Sequence, residues 1–313
     1  MQIRKPSRLR SGDVIGLIAP ATAPVTSEKV EGGVRYLERL GYRVRVGRNV
    51  MRQYGYLAGT DEERAADLNE MVRDKSVRAI IAIRGGYGTP RILSMVDYAA
   101  LRRDPKILVG YSDLTALQLA IFRRTGLVTF SGPMSGVEMA SGIDPYTEEH
   151  FWRQLTSAKK IGWLRNPVDE PVGILRAGKG TGKLLGGCFA LVASLMGTPL
   201  LPDLRKSILV LEDVDEAPHR VDRMLAQFAH AGILRNLAAL VFGKFVDCLP
   251  GEPEKPHLTI EQVIGEVTQL TTCPVVTDYQ YGHIRKKVTL PWGLKARLDT
   301  NKGGIEVLES AVV

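Results

Sequence analysis

The stretch KILVGYSDLTALQLAIFRRTG, residues 106–126, decides the fold. Its opening ILVG is a continuous apolar run, which is how a strand buried on both faces of a parallel sheet reads. From Asp113 to Arg124 the apolar residues Leu114, Leu117 and Ile121 recur at helical spacing, and Gly126 supplies the stop. A buried strand that passes directly into an amphipathic helix is half of a βαβ unit.

The same alternation extends outward. DVIGLIAP at 13–20 predicts a buried strand, and 27–40 a helix with Val30, Val34 and Leu37 on one face, Ser27 as its N-cap and Gly41 as its stop. YRVRV at 42–46 is a second strand, and Thr60 with Glu63 forms a capping box that opens a helix through Val72. RAIIAI at 78–83 and LVTF at 127–130 complete a five-strand parallel sheet covered on both faces. The pattern weakens over 140–185, where Gly and Pro are frequent and no period is visible. Beyond it come a helix near 189–196, a strand at 207–214, a helix near 221–231, a strand at 238–245, a helix opened by Thr259 and Gln262, and short strands to the end. The expected organisation is a first domain at 1–160, a linker at 161–174 and a mixed α+β domain at 175–313, consistent with about 150 residues per domain.

Composition narrows the function. Hydrophobic residues make up 44% of the 313 positions and charged residues 24%, which fits a globular chain with a full core. The net charge of +8 is spread along the sequence, and with aromatics at 6% no basic–aromatic interleaving appears, so nucleic-acid binding is not expected. Cys188, Cys248 and Cys273 are too few and too far apart for a disulfide framework or a zinc site, and suit a reducing compartment. The run VIGLIAP after basic residues loosely imitates a leader, but Asp13 and Gly16 interrupt it, and no stretch reaches bilayer length.

Four places can carry chemistry. Ser112 sits between strand and helix, where a tight turn lifts a side chain out of the carboxyl edge of a parallel sheet and a helix N-terminus steadies an oxyanion. The backbone N–H of Asp113 would be the first oxyanion donor; equally, Ser112 or Asp113 would serve simply as the helix cap. RGGYGTPR at 84–91 permits close approach of backbone to a ligand and would supply a second donor from Gly86; it reads also as a plain turn or an anion-binding loop, but matches no dinucleotide or Walker pattern. Glu212 ends an apolar strand among Asp213, Asp215 and Glu216, a cluster that would orient an imidazole, bind a divalent cation, or form a solvated turn. Of five histidines, His283 after Gly282 is the best-placed base and His219 the second, against the alternative of a structural histidine.

Taken together, DVIGLIAPA, RGGYGTPRIL, GYSDLTAL, LLGGCFALVASLMGTP, LEDVDEAPHRVDRML and YGHIRKKVTLPWGLKARLD resemble the LD-carboxypeptidase family of serine peptidases, also called muramoyltetrapeptide carboxypeptidases. The resemblance runs through nearly the whole chain. It implies a flavodoxin-like parallel sheet carrying the nucleophile and a smaller α+β domain supplying an acid and a base. The family's serine falls on Ser112, its glutamate on Glu212 and its histidine on His283. The implied activity is release of the terminal D-alanine from murein tetrapeptides in cell-wall recycling, in the cytoplasm, by a homodimer, without metal, cofactor, nucleic acid or membrane. Arg84 would read a substrate carboxylate through paired hydrogen bonds. A branch of the same family hydrolyses microcin C-type aminoacyl-sulfamoyl adenylates, and a non-catalytic anion-binding protein is the alternative from another class. Similar sequences often carry Asn where Cys188 follows Gly186 and Gly187.

Overall fold

The continuous apolar runs become the inner strands of two sheets, and the helices between them cover both faces. The structure, a computed structural model, describes residues 2–252 and 254–313. In the first half β1 (Val14–Ile18), α1 (Ser27–Arg39), β2 (Arg43–Val46), α2 (Asp61–Arg73), β3 (Val77–Ala82), α3 (Thr89–Ile92), α4 (Tyr98–Arg103), β4 (Ile107–Gly110), α5 (Leu114–Thr125) and β5 (Thr129–Ser131) follow in turn. These strands pair in parallel in the order β2-β1-β3-β4-β5, the flavodoxin-type order in which ligands bind beyond the carboxyl ends of β1 and β3.

The second half contributes α6 (Pro145–Thr156), β6 (Gly162–Arg165), β7 (Gly173–Arg176), β8 (Lys179–Cys188), α7 (Phe189–Ser194), β9 (Ser207–Val214), α8 (Pro218–His230), β10 (Ala239–Val246), α9 (Ile260–Glu266), β11 (Val275–Thr277), β12 (Leu290–Trp292), β13 (Lys295–Asp299) and β14 (Gly304–Val307). Its sheet runs β6-β14-β13-β8-β9-β10-β11-β7, with β8 to β11 parallel and the flanking strands antiparallel. β12 leaves this half and pairs antiparallel with β5, so the chain returns to the first sheet near its end. No helix among the described residues is long and apolar enough to cross a membrane.

The two halves meet on α5. The amphipathic pattern predicts one buried face, but ten of its twelve residues are buried. Its second face packs where β8 passes: the Thr115 hydroxyl accepts from the Cys188 N–H at 3.1 Å, and a Cβ on Gly187 would collide with the Thr115 side chain. Gln118, fully buried, donates to the carbonyls of Gly110 and Phe130 and so joins the ends of β4 and β5.

Both expected capping boxes form, Thr60 with Glu63 and Thr259 with Gln262, each worth about 1 kcal/mol of helix stability. The N-cap of α1 is Thr26, with Ser27 the first helical residue. The region without a visible period holds α6, β6, β7 and most of β8. Asp144 caps α6 and Pro145 fills its first position, a start signal the sequence does contain. β8 is hard to read because four of its ten residues are glycine, and at Gly180, Gly182 and Gly186 a Cβ would collide with carbonyl groups of neighbouring backbone. β6 lies inside the expected linker and pairs with β14.

Candidate active site

The turn between β4 and α5 places Ser112 at φ 64°, a left-handed conformation that L-residues other than glycine seldom adopt. Neither Ser112 nor Asp113 caps α5 with its side chain. The Asp113 carboxylate instead accepts the Thr89 N–H at 2.8 Å, and the Thr89 hydroxyl donates back to the Asp113 carbonyl at 2.5 Å. Burial pushes the Asp113 carboxyl up from its ordinary value. The cap alternative is therefore not realised: the aspartate ties the serine turn to the glycine-rich segment after β3.

That segment lies directly against the serine. A Cβ on Gly85 would stand 2.8 Å from Ser112 Cβ and 3.0 Å from its Oγ. Gly86 has φ 120° and Gly88 φ 128°, conformations suited to glycine. Buried Arg64 fixes the segment by donating to the Gly88 carbonyl at 2.9 Å and the Pro20 carbonyl at 2.6 Å, which links the loops following β1 and β3. Among the described residues no acceptor takes the N–H of Gly86 or of Asp113, and none engages the Ser112 hydroxyl.

From the second half, Glu212 near the end of β9 pairs with His283. Its Oε2 lies 2.8 Å from the imidazole Nδ1, and the carboxylate side chain is 0% exposed. An ionised carboxylate only accepts, so Nδ1 carries the proton and Nε2 is left as the basic nitrogen. The carboxylate is boxed in by glycines: a Cβ at Gly282 would approach Glu212 Oε2 to 2.9 Å, and one at Gly243 would approach Glu212 Cβ to 3.1 Å. The imidazole meets the ring of Tyr111 edge-on at 5.1 Å. Tyr111 is the residue before Ser112, so the imidazole from one half rests on the neighbour of the hydroxyl from the other.

Ser112 and His283 line one cavity of about 320 Å³, together with Arg84, Gly85 and Gly86. Among the described residues its lining includes two cations, Arg84 and Lys29, and no carboxylate side chain. The only hydrogen bond of the Arg84 side chain among the described residues is a long one, 3.5 Å, to the Ala23 carbonyl. Lys29 donates to Ser141 at 2.7 Å. Lys29 and the π-helical turn Ser135–Met139, which contributes Gly136 and Val137 to the wall, carry no motif that sequence reading could have used.

The other candidates separate. His219 is exposed on α8, away from this cavity. The acidic cluster does not converge: Asp213 turns inward to accept from the Ala190 and Val214 N–H groups and from the Cys188 thiol, while Glu216 pairs with Arg220. Burial raises the Asp213 carboxyl to about 6 and pushes the Cys188 thiol well above its ordinary value. Among the described residues no three His, Cys, Asp or Glu side chains are grouped to hold a metal ion.

Residues 15–132 match the LD-carboxypeptidase N-terminal domain family, and residues 181–298 match the LD-carboxypeptidase C-terminal domain family. The chain is 38% identical to a probable murein peptide carboxypeptidase of Bacillus subtilis, covering 95% of this chain and 92% of that protein. Its structure resembles that of a muramoyltetrapeptide carboxypeptidase from Oxalobacter formigenes, with TM-score 0.80 and 33% identity over 94% of this chain and 97% of that one. It also resembles the microcin C7 self-immunity protein MccF in complex with aspartyl sulfamoyl adenosine, with TM-score 0.87 and 26% identity over 99% of this chain and 100% of that one.

Proposed function

The chain belongs to the LD-carboxypeptidase family, and on that premise we propose that it is a serine peptidase releasing the terminal D-alanine of murein tetrapeptides, with Ser112 as nucleophile, His283 as general base and Glu212 as its orienting acid. The observation that carries the reading is the Glu212–His283 pair opening on the same cavity as the strained, unpartnered Ser112. Ser112 Oγ attacks the scissile carbonyl as His283 Nε2 takes its proton. The N–H groups of Asp113 and Gly86 hold the oxyanion, and the positive end of α5 adds to that field. The protonated imidazole passes its proton to the departing D-alanine nitrogen. Water, deprotonated by the same imidazole, then cleaves the ester on Ser112 and restores the hydroxyl. A carboxypeptidase must also read a terminal carboxylate, and a cavity wall with cations and no acids suits one; Arg84 is the residue for that contact. On the family's pattern the enzyme works in the cytoplasm as a homodimer.

The decisive experiment is D-alanine release from a tetrapeptide ending in diaminopimelate–D-alanine. Wild type should turn it over and Ser112→Ala should fold yet lose nearly all turnover; undiminished release by that variant would remove the nucleophile. The likeness to the MccF structure favours one second reading, cleavage of an aminoacyl-sulfamoyl adenylate by the same three residues. Assaying both substrates side by side separates the two.

A further inference from the structure

A buried charge network beneath the cavity has no part in the chemistry above. Glu138, in the π-helical turn of the first half, accepts with one oxygen from two donors: Lys287 Nζ at 2.6 Å and the Tyr111 hydroxyl at 2.8 Å. Its other oxygen accepts the Met134 N–H at 2.9 Å. The side chains of Lys287 and Glu138 are 2% and 9% exposed. The Lys287 ammonium also lies 3.7 Å from the centre of the Tyr111 ring, the ring against which His283 packs edge-on.

The two donors come from the two halves of the site. Tyr111 precedes the nucleophile by one residue, and Lys287 follows the base by four. The segment carrying His283 belongs to no helix or strand; it closes on itself where the Val288 N–H donates to the Gln280 carbonyl. Such a loop is a poor platform for a catalytic base unless something external holds it. Stability does not require a buried ion pair, because desolvation cancels much of its attraction and apolar substitutes often serve as well. What a buried pair supplies here is registry between two surfaces.

We propose that Glu138, Lys287 and Tyr111 form a positioning strut: one carboxylate oxygen ties the serine turn to the histidine loop and so sets the distance between hydroxyl and imidazole. The inference rests on the serine-peptidase reading for what it positions. Tyr111 lines the cavity but Glu138 and Lys287 do not, so removing that pair loosens the site without touching substrate: kcat falls and KM holds.

The test uses the full chain and two kinds of variant. A single Lys287→Met leaves a buried carboxylate unpaired and risks misfolding, so the main variant is the double Glu138→Gln with Lys287→Met, which leaves no lone charge. Tyr111→Phe, the second variant, removes only the hydroxyl. On the D-alanine-ending tetrapeptide the double variant should lose about 100-fold in kcat, the scale of a misplacement of roughly 1 Å, with KM changed less than about twofold. Tyr111→Phe should lose about tenfold, a smaller part of the same effect. Amide hydrogen exchange over 282–288 should quicken in the double variant. Wild-type kcat in the double variant, or wild-type exchange over 282–288, would overturn the proposal and leave the pair as ordinary core. The exchange measurement needs no substrate: should wild type release no D-alanine, the peptidase reading falls, while unchanged exchange over 282–288 would still overturn the strut on its own.

Discussion

Gly85 lies against Ser112 so closely that a methyl group on it would stand 2.8 Å from the serine Cβ and 3.0 Å from the Oγ. The glycine is needed here for space rather than for an unusual backbone, since Gly85 is not among the positive-φ residues. Gly85→Ala should therefore fold but push the hydroxyl aside. Overpacking of this kind costs about 1–3 kcal/mol of stability, and the displaced nucleophile should cost about 100-fold in kcat. Steady-state kinetics with a thermal melt checks both; an alanine variant with wild-type kcat would mean that the serine does not react from this position.

The left-handed backbone at Ser112 stores strain that substitution can reveal. An L-residue in that region pays roughly 1–2 kcal/mol that glycine avoids. Ser112→Ala and Ser112→Gly both remove the hydroxyl and should be equally inactive. Only glycine relieves the strain, offset by its greater freedom in the unfolded chain. Ser112→Gly should melt higher than Ser112→Ala by the equivalent of about 1 kcal/mol. Without strain the entropy of glycine alone would act, and Ser112→Gly melting below Ser112→Ala would show that the turn holds none.

Glu212 offers a cleaner separation of charge from shape. Glu212→Gln keeps the volume and can still accept from the imidazole, but cannot balance an imidazolium inside a site where the acid is fully buried. Loss of a triad acid by such a swap costs about 10⁴-fold in kcat in serine proteases, much of it through the wrong tautomer. Here about 10³-fold or more is expected, with KM little changed, measured on the tetrapeptide. A loss under tenfold would reduce Glu212 to a structural partner of His283.

How much of this was legible depends on where each residue's job is written. The inner strands and their order of appearance were readable because a strand buried on both faces has only apolar letters, as in ILVG and RAIIAI. The cap at Thr60 was readable because both partners lie three residues apart. The choice between cap and nucleophile at Ser112 was not, since it turns on where the Asp113 carboxylate goes, and its partner Thr89 lies 24 residues away. β8 hid because its glycines serve close backbone approach from strands distant in sequence. Lys287 hid for another reason: a buried lysine has the same letter as the partly exposed Lys286 beside it. The proposed triad could be named only through resemblance spanning the whole chain, because no one of its three motifs excludes its ordinary structural reading.

His150 gives a prediction in pH rather than activity. It lies half-buried on α6, edge-on to Tyr146 at 4.4 Å, and its Nδ1 is buried without a partner among the described residues. Burial, aided by nearby Arg153, lowers its pKa from 6.5 to about 4. The folded protein thus keeps the ring neutral where the unfolded chain would protonate it. The unfolded state binds the extra proton between about pH 4 and 6.5, so stability rises with pH across that window. The contribution is whole above 6.5 and is lost as pH falls toward 4. His150→Phe cannot titrate and fills similar space beside Tyr146. The difference in melting temperature, wild type minus variant, should increase from pH 4 to 6.5 and then level off. Other titrating groups, Asp213 with its opposite slope among them, are common to both proteins and cancel in that difference. Two melting curves that stay parallel across the window would mean that His150 gains its proton as readily folded as unfolded.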